Sequence, residues 1–136
     1  MKQLIIVATM VFVLGACDKN MDDSINVNST SELAGTFSGS FHRTGMDTAG
    51  VTIFFDKNWY QGRGMRPNYP AICAGRFELN GSTISFTDTC SWTANFDWSL
   101  ILDGTYNINF TSDSTIVMWR TNGTIKDEYR LTRPFR

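Results

Sequence analysis

Few residues in this chain could do covalent or acid–base chemistry, and their spacing limits what that chemistry could be. His42 is the only histidine, so no histidine pair can ligate a metal or relay a proton. A lone imidazole can serve as a general base, but at a strand end it reads as a surface residue. Asp97 and Asp103 are candidates for a glycosidase carboxylate pair. Six residues apart in one extended strand, they would stand about 20 Å from each other, too far for that mechanism. No Gly-x-Ser-x-Gly elbow, Walker loop or Gly-x-Gly-x-x-Gly fingerprint occurs. Arg63 and Arg66 sit among Gly62, Gly64 and Pro67, near Trp59 and Tyr60. They fit either an anion or sugar contact or a solvated loop. Three cysteines and no Cys-x-x-Cys pair make metal binding a poor reading. The expectation is a protein that is not an enzyme and uses no cofactor or metal. Twelve basic against thirteen acidic side chains, net −1, lack the footprint of a nucleic-acid binder.

Cys17 is the most informative of the three thiols. The segment before it reads MKQLIIVATMVFVLGAC, with Lys2 as the positive n-region and Leu4 to Leu14 as an apolar run of 11 residues. A membrane-spanning helix needs roughly 20 apolar residues, so this run fits the h-region of a signal peptide. Leu14-Gly15-Ala16-Cys17 resembles the lipobox of bacterial lipoproteins. The resemblance implies cleavage before Cys17, acylation of its thiol with chains such as palmitate, and stable anchoring through two or three chains. Residues 1–16 are thus expected as a signal peptide and 17–32 as a lipidated, flexible tether. Asp18, Asp22 and Asp23 resemble the acidic surface-export signals of Bacteroidetes-type lipoproteins, although a merely solvated linker fits them equally. The expected location is the bacterial cell envelope, as an outer-membrane lipoprotein with the option of surface exposure.

The elements that must carry everything else are strands. After residue 32 no segment keeps a 3.6-residue apolar period, whereas period two recurs. Tyr106, Ile108 and Phe110 alternate with Asn107 and Asn109, and Ile84 and Phe86 alternate with Thr83, Ser85 and Thr87. Phe96, Trp98, Leu100 and Leu102 share a face, as do Phe37 and Phe41, Val51, Ile53 and Phe55, and Ile125, Asp127, Tyr129 and Leu131. Asn80-Gly81, Asp103-Gly104 and Asn122-Gly123 read as hairpin turns. The predicted strands are 36–43, 50–56, 58–64, 72–79, 82–88, 93–102, 105–111, 115–121 and 124–132. The fold class is all-β: an antiparallel up-and-down meander of eight or nine strands over 33–136. It is expected to close into a barrel by pairing 124–132 with 36–43, with a β-sandwich as the competing architecture.

In an exported protein Cys73 and Cys90 are expected to pair. If Asn80-Gly81 is a two-residue loop, Cys73 faces Asp88 and lies diagonal to Cys90. Diagonal separations of about 7–8 Å exceed the usual disulfide range, so the pairing calls for a bulge near Pro70 or Thr89.

Several short segments resemble lipocalins and bacterial lipocalin-like lipoproteins. Leu33-Ala34-Gly35-Thr36-Phe37 looks like their Gly-x-Trp strand opening, with Phe37 in place of Trp. Glu128-Tyr129-Arg130-Leu131-Thr132-Arg133 looks like their final strand. Tyr69-Pro70-Ala71 and Phe96 to Leu102 share that character. The resemblance implies a barrel that binds a small apolar or amphipathic ligand. Phe41, Phe55, Trp98 and Tyr129 are the candidate ligand contacts, since an eight-stranded barrel either holds one small molecule or is filled by side chains. The alternative is a protein-interaction or inhibitor module with a filled core. Phe37, Phe41, Ile53, Phe55, Phe77, Ile84, Phe86, Trp98, Leu100, Ile108, Phe110 and Tyr129 are expected inside, and Thr83, Ser85, Asn107 and Asn109 outside.

Overall fold

Alternation of apolar and polar side chains is realised as eight strands in a computed structural model that describes residues 30–134. The expected signal peptide 1–16, Cys17 and the expected tether up to residue 29 lie outside the described residues. The strands are β1 (Gly35–Arg43), β2 (Ala49–Asp56), β3 (Trp59–Gly64), β4 (Ala74–Asn80), β5 (Thr83–Asp88), β6 (Gly104–Ser112), β7 (Thr115–Asn122) and β8 (Ile125–Thr132). Each pairs antiparallel with the next, and β8 returns to β1, closing a barrel in meander order. Phe41 faces Tyr129 and Arg43 faces Asp127 across the closing seam. Closure leaves no free sheet edge. This architecture is compatible with a lipocalin-like fold.

The apolar faces point inward as their period requires. Phe37, Phe41, Ile53, Phe55, Phe77, Ile84, Phe86, Ile108, Tyr129 and Leu131 are buried, while Asn107 and Asn109 face water and Thr83 and Ser85 are half-exposed on the outer wall. Phe110 is only half-buried, because the register slips between Phe110 and Ser112 where β6 bulges at its end. Gly39 fits a close strand approach: a Cβ there would fall 1.9 Å from the Arg130 carbonyl oxygen.

Two kinds of turn reading change, the first at both Asn80-Gly81 and Asn122-Gly123, where the loop lies one residue later because Asn80 pairs with Thr83 and Asn122 with Ile125. After Asn80 the two-residue loop is Gly81-Ser82, with Gly81 at φ +59° in the first position. A glycine there suits a type II′ hairpin rather than type I′. The shift moves the whole ladder by two residues: Phe77 faces Phe86 and Gly75 faces Asp88. Continued outward, the same register sets Cys73 opposite Cys90. They form a disulfide with a Cα–Cα distance of 6.3 Å, and no bulge is needed.

The second change is larger. Residues 93–102 do not form a strand, and Asp103-Gly104 is not a hairpin; β5 pairs directly with β6 through the long connection 89–103. Only Trp98–Leu100 is regular, a single 3-10 turn capped by Asp97, whose Oδ1 accepts from the Ser99 amide at 2.9 Å. An Asp that captures backbone N–H groups locally competes with a ladder. The run still ends inward: Leu100 and Leu102 are buried, whereas Trp98 is 57% exposed and Phe96 half-buried.

The longer connections, 44–48, 65–73 and 89–103, gather at one end of the barrel. The short turn 123–124 joins them, while the other end holds the tight turns 57–58, 81–82 and 113–114 and the incoming N-terminal segment. There Leu33 is fully buried. Arg133 donates to the carbonyls of Glu32, Ala34 and Asp113 at 3.0, 3.1 and 2.7 Å, and its guanidinium lies 5.5 Å from the Phe37 ring centre. Two of the segments that carry the lipocalin resemblance, 33–37 and 128–133, therefore meet.

Candidate functional site

The barrel interior is packed with rings. Phe41, Phe55 and Tyr129 are at most 1% exposed. Phe41 lies 4.7 Å from Tyr129 and 5.3 Å from Tyr69 between ring centres. Phe55 meets Phe37 and Phe77 edge to face at 5.9 and 5.2 Å, and Phe86 meets Tyr60 at 5.0 Å. These offset and T-shaped contacts are the arrangement that ring quadrupoles favour. The Tyr60 hydroxyl donates to the Leu102 carbonyl at 2.9 Å, and Tyr106 and Tyr129 share a side-chain hydrogen bond. Burial pushes all three phenols well above their ordinary range, so they stay neutral. Gly75 has the Tyr60 ring beside it: a Cβ there would lie 3.0 Å from that ring and 2.1 Å from the Thr87 carbonyl oxygen.

Connection 89–103 stoppers the loop end. Ala71 and Ile101 form a parallel bridge; the Ala71 amide donates to Leu100 O at 3.1 Å and the Leu102 amide to Ala71 O at 2.9 Å. Leu100 and Leu102 thereby drop onto the core. The Cys73–Cys90 bond fastens the start of this stopper to the segment before β4. Trp92 donates its indole N–H to Asp88 Oδ2 at 2.6 Å. Burial raises the Asp88 carboxyl above its ordinary range, against the lowering effect of that indole bond.

A charge cluster holds the stopper down. Asp127 accepts from Arg43 Nε at 2.6 Å, Arg43 Nη2 at 2.8 Å and Arg120 Nε at 3.1 Å. Arg43 also reaches Asp97, the Ser99 hydroxyl and the Ser99 carbonyl. Arg120 donates to Ser99 O and Asp103 O at 2.6 and 2.7 Å and lies 4.6 Å from the Tyr106 ring centre. The Asp127 hydrogen bonds raise the Arg43 guanidinium above its ordinary value despite burial. Bonds from Ser99 hold the Asp97 carboxyl below its own. Charges with this many partners work as a latch between barrel and stopper. Sequence reading passed over Arg43 and Asp127 as site residues, although an Asp on the apolar face of β8 was a visible signal.

Two open clefts flank the latch. One, of about 340 Å³, is lined by Trp98, Ile101, Asp103, Arg120, Asn122 and Ile125 among others. The second, of about 630 Å³, lies between Met46, Asp47, Arg66, Pro67, Phe96 and Leu100. Of the four candidate ligand contacts Trp98 lines the first of these clefts, and Phe41, Phe55 and Tyr129 are buried in the core. Arg66 stands 3.6 Å from Asp47 in an exposed ion pair, Arg63 is exposed on β3, and His42 is exposed on β1 opposite Glu128. Asp97 lies in the latch and Asp103 accepts from the Asp88 amide. Among the described residues, no three His, Cys, Asp or Glu side chains lie close enough together to hold a metal ion. The chain matches no family model, no curated protein and no solved structure.

Proposed function

We propose that this is a lipid-anchored bacterial envelope protein whose loop end binds a protein partner, an interaction or inhibitor module rather than an internal carrier. The observation that carries the reading is the filled core: Phe41, Phe55 and Tyr129 are enclosed by other rings. The exposed apolar side chains Met46, Met65, Trp98 and Ile125 all sit at the loop end, where aromatic and Met side chains favour interfaces. Membrane attachment through Cys17 rests on the Leu-Gly-Ala-Cys sequence. A photo-reactive phenylalanine analogue at Trp98 or Met65 is expected to give one discrete covalent adduct in intact cells, and the same group at Ser85 on the barrel wall none. Adducts from Ser85 alone would contradict the reading. Cys17→Ser is expected to release the protein from membranes; continued membrane fractionation would remove the anchor from the account.

One observation favours a second reading. The cleft beside Trp98 is within the roughly 300–1,000 Å³ range of small-molecule sites, and its mixed lining of Trp98 and Ile101 with Arg120 and Asn122 suits a small amphipathic ligand. Such a ligand would occupy the mouth, and Trp98→Ala would abolish its binding without unfolding the barrel.

A further inference from the structure

The end of the barrel opposite the loops carries its own apolar feature. Phe54 and Trp59 are 39% and 38% exposed on the outer wall of β2 and β3. Phe54 pairs with Gln61 and Asp56 with Trp59, which makes the two aromatic residues diagonal neighbours. Phe54 also pairs with Thr36, next to the point where the chain enters the barrel. Exposed Lys57 and Arg76 flank Trp59, and Asp56 and Glu78 balance them, so the patch is apolar at its centre and nearly neutral at its rim.

We infer that this patch is a second membrane contact, with Phe54 and Trp59 resting in the interfacial layer of the bilayer that holds the acyl chains of Cys17. The inference rests on the lipid-anchor reading. Cys17 lies sixteen positions before Leu33, and random-coil statistics give a chain of that length a mean reach of roughly 22 Å. Attachment enters beside Thr36, so the Phe54 side of the barrel is the one held at high effective concentration against the lipid. A nine-residue strand is about 30 Å long, which puts the Trp98 end most of a barrel length farther away. Trp at a wet–apolar boundary places its ring among acyl carbons and its N–H toward water, and a rim of balanced charge suits a zwitterionic headgroup layer. The barrel then stands on its tether end and presents its loops outward.

The test uses the mature acylated protein in vesicles of phosphatidylethanolamine and phosphatidylglycerol, with acyl chains brominated near the headgroup. Bromine is expected to quench part of the tryptophan emission. Trp59→Phe removes that quenched part, Phe54→Ser reduces it at least two-fold, and Trp98→Phe leaves it unchanged. Quenching that survives Trp59→Phe, or that disappears with Trp98→Phe, overturns the proposal. Acylated protein that floats with the vesicles without quenching overturns the docking surface and leaves the anchor standing. A mature mass without acyl groups overturns both.

Discussion

Asp127→Asn should be the most damaging conservative change in the protein. Asp127 is nearly inaccessible and accepts three guanidinium hydrogen bonds, two of them from an equally buried Arg43. The amide keeps the shape and one acceptor oxygen but removes the charge that compensates two cations. Removing one partner of a buried ion pair costs about 3–5 kcal/mol, and the retained oxygen puts this change near the lower end, about 3 kcal/mol. A domain of roughly 100 residues loses about 4–8 °C of melting temperature per kcal/mol, so the midpoint should fall by about 12–24 °C. Urea denaturation followed by circular dichroism gives the same quantity at 25 °C. Replacing both charges, Arg43→Met with Asp127→Leu, should recover at least half of the loss, since an apolar pair of similar volume is often no worse than a buried ion pair. An Asp127→Asn variant within about 1 kcal/mol of wild type would refute the latch, being no more than an exposed pair contributes.

Trp98→Ala should change stability by no more than about 1 kcal/mol, in contrast to the roughly 3–5 kcal/mol that truncating a buried aromatic costs; equilibrium unfolding of Trp98→Ala beside Phe55→Ala shows the contrast. Breaking the disulfide with Cys73→Ser and Cys90→Ser opens a closure of sequence separation 17 and should cost about 3 kcal/mol, with amide exchange accelerating first in 89–103. Acid stability has a definite sign. Lys126 and Arg130 hold the Glu128 carboxyl below its ordinary 4.5, and Ser99 holds Asp97 below its ordinary 3.8. Both therefore contribute stability that is complete above those values and is lost as pH falls through the folded ones. Asp88, raised by burial, works the other way between 3.8 and its folded value. Glu128→Gln should flatten the decline in melting temperature below pH 4.5 without moving the midpoint at pH 7 by more than a few degrees.

The strands and the closing seam were legible because period two over Phe37–Phe41, Ile53–Phe55 and Tyr129–Leu131 has one consistent inward face, and a single-residue slip would expose all of it. The hairpins at Asn80 and Asn122 each lie one residue later than the Asn-Gly signal predicts. Asn-Gly was read as the loop itself, whereas Gly81 takes the first loop position and Asn80 the last ladder position. That small error propagated to the cysteines, which face each other in the true register. Segment 89–103 misled more deeply, since Phe96, Trp98, Leu100 and Leu102 alternate as a strand would. The deciding features are local: an Asp97 cap, and two arginines on other strands that take up the Ser99 carbonyl. Those partners are 56 and 21 residues away, beyond what a window of periodicity reports. The latch was half visible, as an inward Asp on β8 whose inward Arg lies on the neighbouring strand only once the barrel closes.

A barrel filled by its own side chains has no room for an internal ligand, and the proposed binding site is then its mouth. Native mass spectrometry of the mature protein, carried in a detergent that is shed in the gas phase, tests the filled core most directly. The account predicts a mass equal to the chain from Cys17 plus its acyl groups, with no further stoichiometric component. One small apolar molecule per chain, retained by wild type and equally by Trp98→Ala, would contradict it and return Phe41, Phe55 and Tyr129 to the role of cavity wall.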